Sequence, residues 1–528
     1  MRGLRMIMWT ILLVLAILHR ASSHGIQPLS RIAIHKATLA LDNLAYVKAS
    51  PTVLGLNGQN TEWVTVEYSS PNPSMDDWIV VFSPANFSAS TCPAENPRVY
   101  PPLLCSAPIK PKLVAVSNTV SFANPNAPVY PRLAQGKQWD EMTVTWTSGY
   151  GIDEAEPFVQ WGPKGGHQQH SPAVTLTFER SSVCGIPTNW GIDCSTVHMF
   201  GVKNTSLEHL HFPDEADGSN EYNNFQRGSL NTTKQLIKDL KNIDIVFHIG
   251  DICYANGYIS QWDQFTAQIE PIASAVPYML ASGNHERDWP GTGSFYENND
   301  SGGECGVLAE TMFFVPAENR AKYWYSTDYG MFRFCIADSE HDWREGTEQY
   351  KFIEHCLASV DRQKQPWLVF LAHRVLGYSS DLSYAVEGSF GEPMAKENLQ
   401  KLWQKYKVDI AIYGHAHNYE RTCPIYKNQC TDNEKRYYKG TPKGTIHVVA
   451  GGAGASLSPF TTLKTKWSLF KDYDYGFIKL TAFDHSNLLF EYKKSSDGKV
   501  YDSFRISRDY RDILACTVDS CPLTTLAS

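Results

Sequence analysis

The sequence predicts all-β modules at the front of the chain, followed by a larger domain in which helices and strands alternate. Alternating polar and apolar runs, separated by Pro, Gly, Ser and Asn clusters, fill the region from about His24 to Arg180. Helical patterns alternating with buried-strand patterns begin only at about Asn231. The length of 528 residues also exceeds the roughly 250–300 residues that one hydrophobic core usually organises.

The front half is typical of short strands packed as sandwich modules. Trp63–Tyr68, Trp78–Phe82 and Met142–Trp146 are runs of the length and alternation expected of half-buried strands. A proline-rich stretch, Pro93–Pro111, is a plausible boundary between two modules. No membrane-spanning or repetitive segment follows the first residues of the chain.

The second half is typical of a layered α/β domain. Leu236, Ile237 and Leu240 mark an amphipathic helix, and Pro393–Tyr406 predicts a helix with proline at its start. The apolar runs between and after such helices predict strands, mostly buried, at Ile243–Ile249, Tyr278–Ala281, Met331–Ile336, Trp367–Leu371, Asp409–Tyr413, Thr445–Ala450 and Tyr475–Phe483.

The first residues of the chain have the pattern of a secretory signal peptide. Arg2 and Arg5 precede the apolar run Ile7–Leu18, and small residues follow up to a cleavage point near Ser23. A membrane anchor is the alternative, but a run this short spans only about 18 Å as a helix, against a hydrocarbon core of about 30 Å. We therefore expect a secreted, extracellular protein of the apoplast or cell wall, without a membrane anchor.

Cysteine content and N-glycosylation sequons agree with export, and the net charge bears on possible partners. Twelve cysteines, an even number, predict several disulfide bonds, for which Cys92/Cys105, Cys423/Cys430 and Cys516/Cys521 are close enough in sequence. A formal net charge of −8 argues against nucleic acid as a partner. N-glycosylation sequons occur at Asn86, Asn204, Asn231 and Asn299.

Four of the predicted strands end in polar side chains that can bind metal ions. These segments are His248–Tyr254, Gly283–Glu286, His373–Arg374 and Gly414–His417. Taken singly, each has a simpler explanation as a turn, a helix cap or a hydrogen-bonding side chain. Because ligands bind at the carboxyl ends of strands in α/β sheets, the four segments should converge, and together they predict a metal site.

The chain resembles the metallophosphoesterases in the order of its motifs, which are Gly-Asp-x-x-Tyr, Gly-Asn-His-Glu, a strand-end His and Gly-His-x-His. The tyrosine of the first motif is the feature that makes it similar to the purple acid phosphatases within that group. The resemblance covers roughly Ala216 to Phe490, and the front half resembles that of large plant members. It implies an α/β metallophosphoesterase sandwich domain, with mixed sheets flanked by helices, preceded by all-β fibronectin-III/immunoglobulin-like modules. The implied parts are a signal peptide (1–23), an N-terminal β domain (24–110), a fibronectin-III-like domain shortened at its end (111–200) and the catalytic domain with its C-terminal strands (201–528).

The resemblance also implies a dinuclear Fe(III)–M(II) centre with a metal-bound hydroxide as nucleophile. Carboxylate and phenolate oxygens suit a trivalent ion, whereas imidazole and amide groups suit a divalent one. The implied ligands are Asp251, Tyr254 and His417 for iron, and Asn284, His373 and His415 for divalent zinc, manganese or iron, with Asp251 bridging the two ions.

Substrate contacts are implied for three residues. His285 would steady the phosphate or protonate the leaving alkoxide, so it is the expected catalytic residue. Asn284 would share the phosphate, and Arg374 either helps to neutralise it or is a solvated surface residue. Further histidines that many active members carry about ten residues after the strand-end His are replaced here by Leu382-Ser383-Tyr384.

One ligand motif of the family is missing. A Gly-Asp-x-Gly at the end of an earlier buried strand belongs shortly before Asp217, yet Gly250-Asp251 is the only Gly-Asp pair in the chain. We therefore predict that a segment is lost between about Gly185 and Asp214, and that the sheet has two newly exposed edges. His209, His211 or Asp214 as a substitute ligand is the alternative.

The sequence thus predicts an acid phosphatase that hydrolyses phosphate monoesters, with impaired activity. A catalytically inactive protein that binds phosphate or a partner, and a phosphodiesterase with a differently shaped pocket, are the competing hypotheses. A homodimer is possible on the resemblance, although no residue indicates one.

Overall fold

A computed structural model describes the chain in segments that fall into two compact units. The first unit holds the described residues up to Val129 together with Ser148–Tyr150, and the second holds the others. The described residues are 31–32, 44–58, 62–71, 120–178, 182–184, 227–257, 259–381, 395–461, 465–509 and 511–514.

The first unit contains only strands among its described residues, as the sequence predicts. Its strands are β1 (Arg31–Ile32), β2 (Tyr46–Ser50), β3 (Val53–Leu54), β4 (Thr65–Ser69) and β5 (Val120–Phe122). They form a three-stranded sheet in the order β1-β5-β3 and a β2-β4 pair. Ala49, Leu54 and Val120 form a small core between them. The predicted strand Trp78–Phe82 lies outside the described residues.

The second unit begins with two strand pairs and continues as an α/β domain. The pairs are β6 (Val129–Gln135) with β7 (Met142–Thr147), and β8 (Phe158–Trp161) with β9 (Gln169–Pro172). Its helices are α1 (Arg227–Asp239), α2 (Ile259–Ala273), α3 (Asn284–Arg287), α4 (Val307–Met312), α5 (Glu348–Ala358), α6 (Ala395–Lys405) and α7 (Arg511–Leu514).

Three sheets form the core of this domain. Its strands are β10 (Val246–Ile249), β11 (Tyr278–Ala281), β12 (Tyr325–Tyr329), β13 (Phe332–Ile336), β14 (Trp367–Ala372), β15 (Ile410–Tyr413), β16 (Tyr419–Tyr426), β17 (Gln429–Cys430), β18 (Tyr437–Lys439), β19 (Thr445–Ala450), β20 (Ser468–Asp472), β21 (Gly476–Asp484), β22 (Asn487–Lys494) and β23 (Val500–Ser507). The largest sheet has eight strands, ordered β12-β13-β14-β15-β19-β16-β17, with β20 also paired to β16. A second sheet follows the order β18-β23-β22-β21, and β10 and β11 form a separate parallel pair.

Continuous apolar runs account for the parallel centre of the eight-stranded sheet. Every residue of β14 and β15 is buried, as expected for strands covered on both faces. Leu399, Leu402 and Trp403 of α6 pack in the same hydrophobic cluster as Phe370 of β14. Parallel pairing of β13, β14, β15 and β19 brings their carboxyl ends to one edge of the sheet.

The prediction of a buried strand over Ile243–Ile249 is wrong in where the strand begins and in its burial. A strand forms only at Val246–Ile249, and all four of its residues are half-buried. Burial of a strand depends on its neighbours, and among the described strands β10 pairs with β11 alone. One edge of β10 faces no described strand, and the strand is partly uncovered.

Three disulfides join described cysteines. Cys423–Cys430 is one of the predicted pairs, whereas Cys184–Cys305 and Cys335–Cys356 join residues too far apart in sequence to be anticipated. Cys253 is the one described cysteine without a disulfide partner. The other two predicted pairs, Cys92/Cys105 and Cys516/Cys521, lie outside the described residues. No helix in the described parts of the chain has the length and apolar character needed to cross a membrane.

Candidate metal centre

The four polar segments at the strand ends meet in one place. β14 ends directly before His373 and β15 shortly before His415, while Asp251 lies in the loop after β10 and Asn284 begins α3 after β11. Asp251, His373 and His415 each direct one possible ligand atom to within 4.8 Å of the others. The predicted convergence of these residues is confirmed.

One half of the centre consists of two imidazoles, an amide and a carboxylate. Nε2 of His373 lies 2.9 Å from Oδ1 of Asn284, 3.1 Å from Nδ1 of His415 and 3.2 Å from Oδ2 of Asp251. Nδ1 of His415 is also 3.0 Å from the same amide oxygen. His373 and Asn284 are buried. Asp251 and His415 are half-buried, and the four atoms face a common point.

Hydrogen bonds behind the centre fix which atoms face inward. Nδ1 of His373 donates to the backbone oxygen of Ile249 at 2.8 Å, so in the neutral ring Nε2 keeps its lone pair. The amide nitrogen of Asn284 donates to Oδ2 of Asp300 at 2.9 Å, which turns its oxygen toward the histidines. Burial, together with the nearby charge of Arg374, lowers the pKa of His415 well below its usual value. These contacts turn Nε2 of His373 and the amide oxygen of Asn284 toward the centre.

Asp251 provides the negative charge of the centre. Despite burial, the charges of His373 and His285 hold the pKa of its carboxyl well below the usual value. Burial alone would lower the pKa of His373, but the Asp251 carboxylate outweighs it and raises this pKa to about 9. Without a metal ion, a proton on His373 would occupy the position of the cation.

The other half of the centre contains the predicted iron ligands. The hydroxyl of Tyr254 lies 3.0 Å from Oδ2 of Asp251 and 2.6 Å from Nε2 of His417. Nδ1 of His417 donates to the backbone oxygen of Ser456 at 2.6 Å, so its other nitrogen faces the tyrosine. Asp251 takes part in both halves, as a bridging ligand must.

The loops that carry these side chains have unusual backbone conformations. Asp251, Tyr254 and His415 have positive φ angles of 50°, 52° and 58°. Gly250, with φ of +80°, cannot be replaced by a residue with a side chain without a clash, since a Cβ there would lie 2.6 Å from Nδ1 of His373. Left-handed conformations at non-glycine residues are sparsely populated and concentrate at functional sites.

Glu286 is a residue to which the sequence assigned no role. Its buried carboxylate accepts backbone N–H groups from Asp251 at 2.8 Å, Ile252 at 2.6 Å and Gly283 at 2.9 Å. It therefore ties the loop after β10 to the loop after β11. Burial, followed by the charge of Asp251, raises the pKa of Glu286 to about 8. Its place in the Gly-Asn-His-Glu motif was the available signal.

His285 lies beside the centre and is half-buried. Its backbone nitrogen donates to Oδ1 of Asp251 at 3.1 Å, and its ring lies 4.1 Å from that of Tyr254, measured between centroids. Nδ1 is 3.1 Å from the side-chain oxygen of Asn256, which can accept a hydrogen bond from its N–H, so Nε2 is the ring nitrogen left for a substrate. The substrate role of His285 stays a prediction.

The interpretation of Arg374 as a solvated surface residue is wrong, because the residue is buried. Its guanidinium contacts Glu340 at 2.9 and 3.1 Å and Asp288 at 3.3 Å, and lies 3.8 Å from the ring centroid of Tyr296. These acidic partners come from distant parts of the chain. Arg374 is therefore a counterion within an acidic cluster, and its contact with phosphate stays a prediction.

Several predicted positions lie elsewhere. Asn231, on α1, and Asn299, in a turn, are both exposed, as a glycosylated residue must be. Asn86, Asn204, the alternative ligands His209, His211 and Asp214, and the segment Leu382-Ser383-Tyr384 lie outside the described residues.

Three family models match the sequence. Residues 47–112 match the Fn3-like domain from purple acid phosphatase, and residues 198–419 match the calcineurin-like phosphoesterase family. Residues 444–503 match the C-terminal part of iron/zinc purple acid phosphatase-like proteins.

Similar proteins cover most of the chain. "Probable inactive purple acid phosphatase 1" of Arabidopsis thaliana is 62% identical over 99% of this chain and 99% of its own length. A purple acid phosphatase from yellow lupin seeds has a structure that matches with a TM-score of 0.80 at 62% identity, over 92% of this chain and 100% of that chain. A barley protein named nucleotide pyrophosphatase/phosphodiesterase is 70% identical over 60% of this chain and 85% of its own length.

The alignment with the Arabidopsis relative is longer than this chain. It extends over 607 positions against 528 residues, so at least 79 positions of the alignment have no residue here. The predicted loss of a segment agrees with this difference.

Proposed function

Because the chain belongs to the purple acid phosphatase family, we propose that it is a secreted phosphoesterase whose divalent metal site is intact and whose catalysis is impaired. Its substrate class would be phosphate monoesters, bound at the edge where β10, β11, β14 and β15 end. Acidic conditions would suit such an enzyme by family.

The convergence of four acceptor atoms carries this proposal. Neighbouring pairs among Nε2 of His373, Nδ1 of His415, Oδ1 of Asn284 and Oδ2 of Asp251 lie 2.9 to 3.2 Å apart. Acceptors packed this closely in a buried site repel one another unless a proton or a cation lies between them. Two imidazoles, an amide oxygen and a carboxylate fit divalent zinc, manganese or iron.

The ferric half fits less completely. Asp251, Tyr254 and His417 supply two oxygens and one nitrogen, but the family's additional aspartate has no counterpart in the sequence before Asp217. A trivalent ion favours several anionic oxygen ligands. Loss of a ligand should reduce affinity by more than the roughly 10–100-fold that follows loss of a group supporting a ligand.

When bound, a metal pair supplies Lewis acidity, which polarises a phosphate oxygen and lowers the pKa of water. The residues of the chain orient and support the reaction. Glu286 holds the loop of Asp251, and Asp300 holds the amide of Asn284. His285, half-exposed beside the centre, would donate a proton to the leaving oxygen.

Metal content and turnover of the purified chain test this proposal. We expect close to one divalent ion per chain, much less than one ferric ion and slow release of p-nitrophenol from p-nitrophenyl phosphate. The lupin phosphatase, purified in parallel, provides the comparison. Two tightly bound metal ions with full turnover would show that catalysis is not impaired, and absence of both metals would favour the inactive binding protein.

A phosphodiesterase is the second candidate, since the barley relative named for that activity is 70% identical over 314 residues. Turnover of bis(p-nitrophenyl) phosphate relative to the monoester distinguishes the two activities. A diester rate above the monoester rate would replace our assignment of substrate class.

Secretion is part of the proposal. The signal-peptide pattern before Ser23 and the three disulfides among described cysteines support it, since disulfides persist in oxidising compartments. Fusion of residues 1–30 to a fluorescent reporter should deliver the reporter outside plant cells, and retention inside the cytosol would contradict it.

A further inference from the structure

β10 and β21 are terminal strands of two different sheets. Among the described strands, β10 pairs with β11 alone, and β21 pairs with β22 alone at the end of the four-stranded sheet. One edge of each strand therefore faces no other described strand. Open edges of this kind are templates on which another polypeptide can add a strand.

One cavity of about 760 Å³ is lined by both strands. Helices α1 and α2 contribute Leu236 and Phe265 to its walls, while β13 and β15 contribute Phe334 and Ile412. We call this cavity the β10–β21 groove. Its walls combine apolar side chains from a helical layer with others from the largest sheet.

Both strands are partly exposed where they line the groove. Every residue of β11, β14 and β15 is buried, whereas all of β10 is half-buried. Phe477–Ala482, six successive residues of β21, are also half-buried. Apolar side chains that remain this accessible gain free energy if another apolar surface covers them.

We propose that the β10–β21 groove binds an extended segment of a second polypeptide, which adds a strand between the two open edges. One added strand would join the two-stranded and four-stranded sheets. Because helices and another sheet both line the groove, the segment should carry a continuous apolar run rather than an alternating one. A run of about 5–6 residues corresponds to the usual strand length.

The missing part of the chain supports this choice of occupant. The 607-position alignment with the Arabidopsis relative leaves at least 79 positions without a residue in this 528-residue chain. If the absent positions include a strand, the space it would fill keeps a matching shape, and backbone N–H and C=O groups of the neighbouring strands remain available to pair with a similar segment. The peptide that fits it best should therefore resemble the segment that the relative has retained.

Direct measurement of peptide binding to the full chain tests the inference, and because Asp251, His373 and His415 also line the cavity, it is made both with and without added zinc. The probes are overlapping fluorescent peptides of about 12 residues, roughly twice a usual strand, that cover the relative's unmatched positions. We expect one peptide, or two adjacent ones, to bind saturably while its scrambled version does not. Hydrogen exchange should show new protection at Phe247 and Leu480 when that peptide is present.

Two substitutions on β21 locate the binding site. Leu480 lines the groove, whereas Phe483, on the same strand, is outside its lining and exposed. Leu480→Trp should fill space and weaken peptide binding by about tenfold or more, a change equivalent to ~1.4 kcal/mol. Phe483→Trp should leave binding unchanged, and circular dichroism should show that both variants fold.

Other outcomes would overturn the inference. Equal binding to both variants would place the peptide elsewhere on the chain. Failure of every peptide, with Phe247 and Leu480 already protected in the free chain, would mean that the chain's own residues fill the groove. Failure without such protection would mean that the edges accept no strand.

Discussion

At the scale of single residues, Glu286 organises the candidate metal centre without pointing into it. Its carboxylate receives three backbone N–H groups, two from the loop after β10 and one from the loop after β11. Oε1 accepts from Ile252, and Oε2 accepts from both Asp251 and Gly283, so one carboxyl group holds the two loops together. The spacing between Asp251 and Asn284 thus depends on a residue that is not a ligand.

Replacing Glu286 with glutamine tests this role. The amide nitrogen of glutamine would face backbone N–H donors, so we expect a loss of about 1–3 kcal/mol in unfolding free energy. Divalent metal affinity should fall by roughly 10–100-fold. Urea unfolding and metal titration measure the two effects. Glu348→Gln, on an exposed pair with Lys322, is the matched control and should change neither; unchanged affinity in Glu286→Gln would contradict the role.

His373 should be the most sensitive ligand position, because its Nε2 atom lies within 3.2 Å of three other candidate ligands. His373→Ala should reduce bound divalent metal to a small fraction of one ion per chain, measured by elemental analysis. His355→Ala, at an exposed position on α5, should retain the metal. Full occupancy in His373→Ala would show that the cation binds elsewhere.

The sequence predicted the candidate ligands but not the groups that support them. Each ligand follows an apolar strand within a recognisable motif, so its position can be inferred from local pattern. Glu340 and Asp288 reach Arg374 from separate loops, and only the folded chain brings them together. Long-range partnerships of this kind leave no local pattern in a single sequence.

At the scale of elements, β15 is anchored at its start by a buried ion pair. Asp409 directly precedes the strand and contacts Arg508 at 3.2 Å and Arg362 at 3.5 Å, while accepting the backbone N–H of Leu368 at 2.9 Å. Despite burial, the charges of Arg508 and Arg362 hold the pKa of Asp409 below its usual value. The contacts connect β14, β15 and the residue after β23.

Asp409→Asn should destabilise the domain by about 3–5 kcal/mol, the usual result of removing one partner from a buried pair. A carboxyl whose pKa is lowered by folding adds stability above its unfolded pKa, near 4, and this contribution is lost as the pH falls further. The stability difference between the two proteins should therefore shrink below about pH 4.

Denaturant unfolding between about pH 3 and pH 6 measures this difference. Asp361→Asn, in an exposed pair with Lys364, should cost less than about 1 kcal/mol at every pH. A pH-independent difference for Asp409→Asn would mean that shape, rather than charge, accounts for the effect.

Strand positions could be predicted more reliably than strand environments. β14 and β15 are apolar throughout, and their burial follows from that composition. β10 has the same kind of sequence, yet it remains half-buried because no described strand covers its second edge. Periodicity describes an element, whereas its exposure depends on what packs beside it.

At the scale of the whole molecule, the chain belongs to the purple acid phosphatase family, and its alignment with the Arabidopsis relative has at least 79 positions without a residue here. The prediction of two exposed sheet edges agrees with the open edges of β10 and β21 among the described strands. The predicted domain boundaries stay predictions, since the residues around Gly185–Asp214 lie outside the described part of the chain.

Restoring the relative's unmatched segment between Gly185 and Asp214 should stabilise the chain. We expect the melting temperature to rise by roughly 3 °C, as about 2 kcal/mol does in a domain of more than about 300 residues. Iron content should rise in the same protein. Differential scanning calorimetry and elemental analysis measure these changes, and a segment of equal length with a scrambled sequence should give neither. An unchanged melting temperature would refute the idea that a strand is missing.

Asp251, Tyr254 and His415 have left-handed backbone conformations, which are costly for non-glycine residues. Retention of these residues over generations therefore indicates whether natural selection still acts on the pocket. Each non-glycine residue held in this conformation costs roughly 1–2 kcal/mol. In a lineage that no longer used the pocket, glycine or asparagine would relieve the strain and spread by drift. Allele frequencies at these three codons in wild populations therefore report whether ion binding still contributes to fitness.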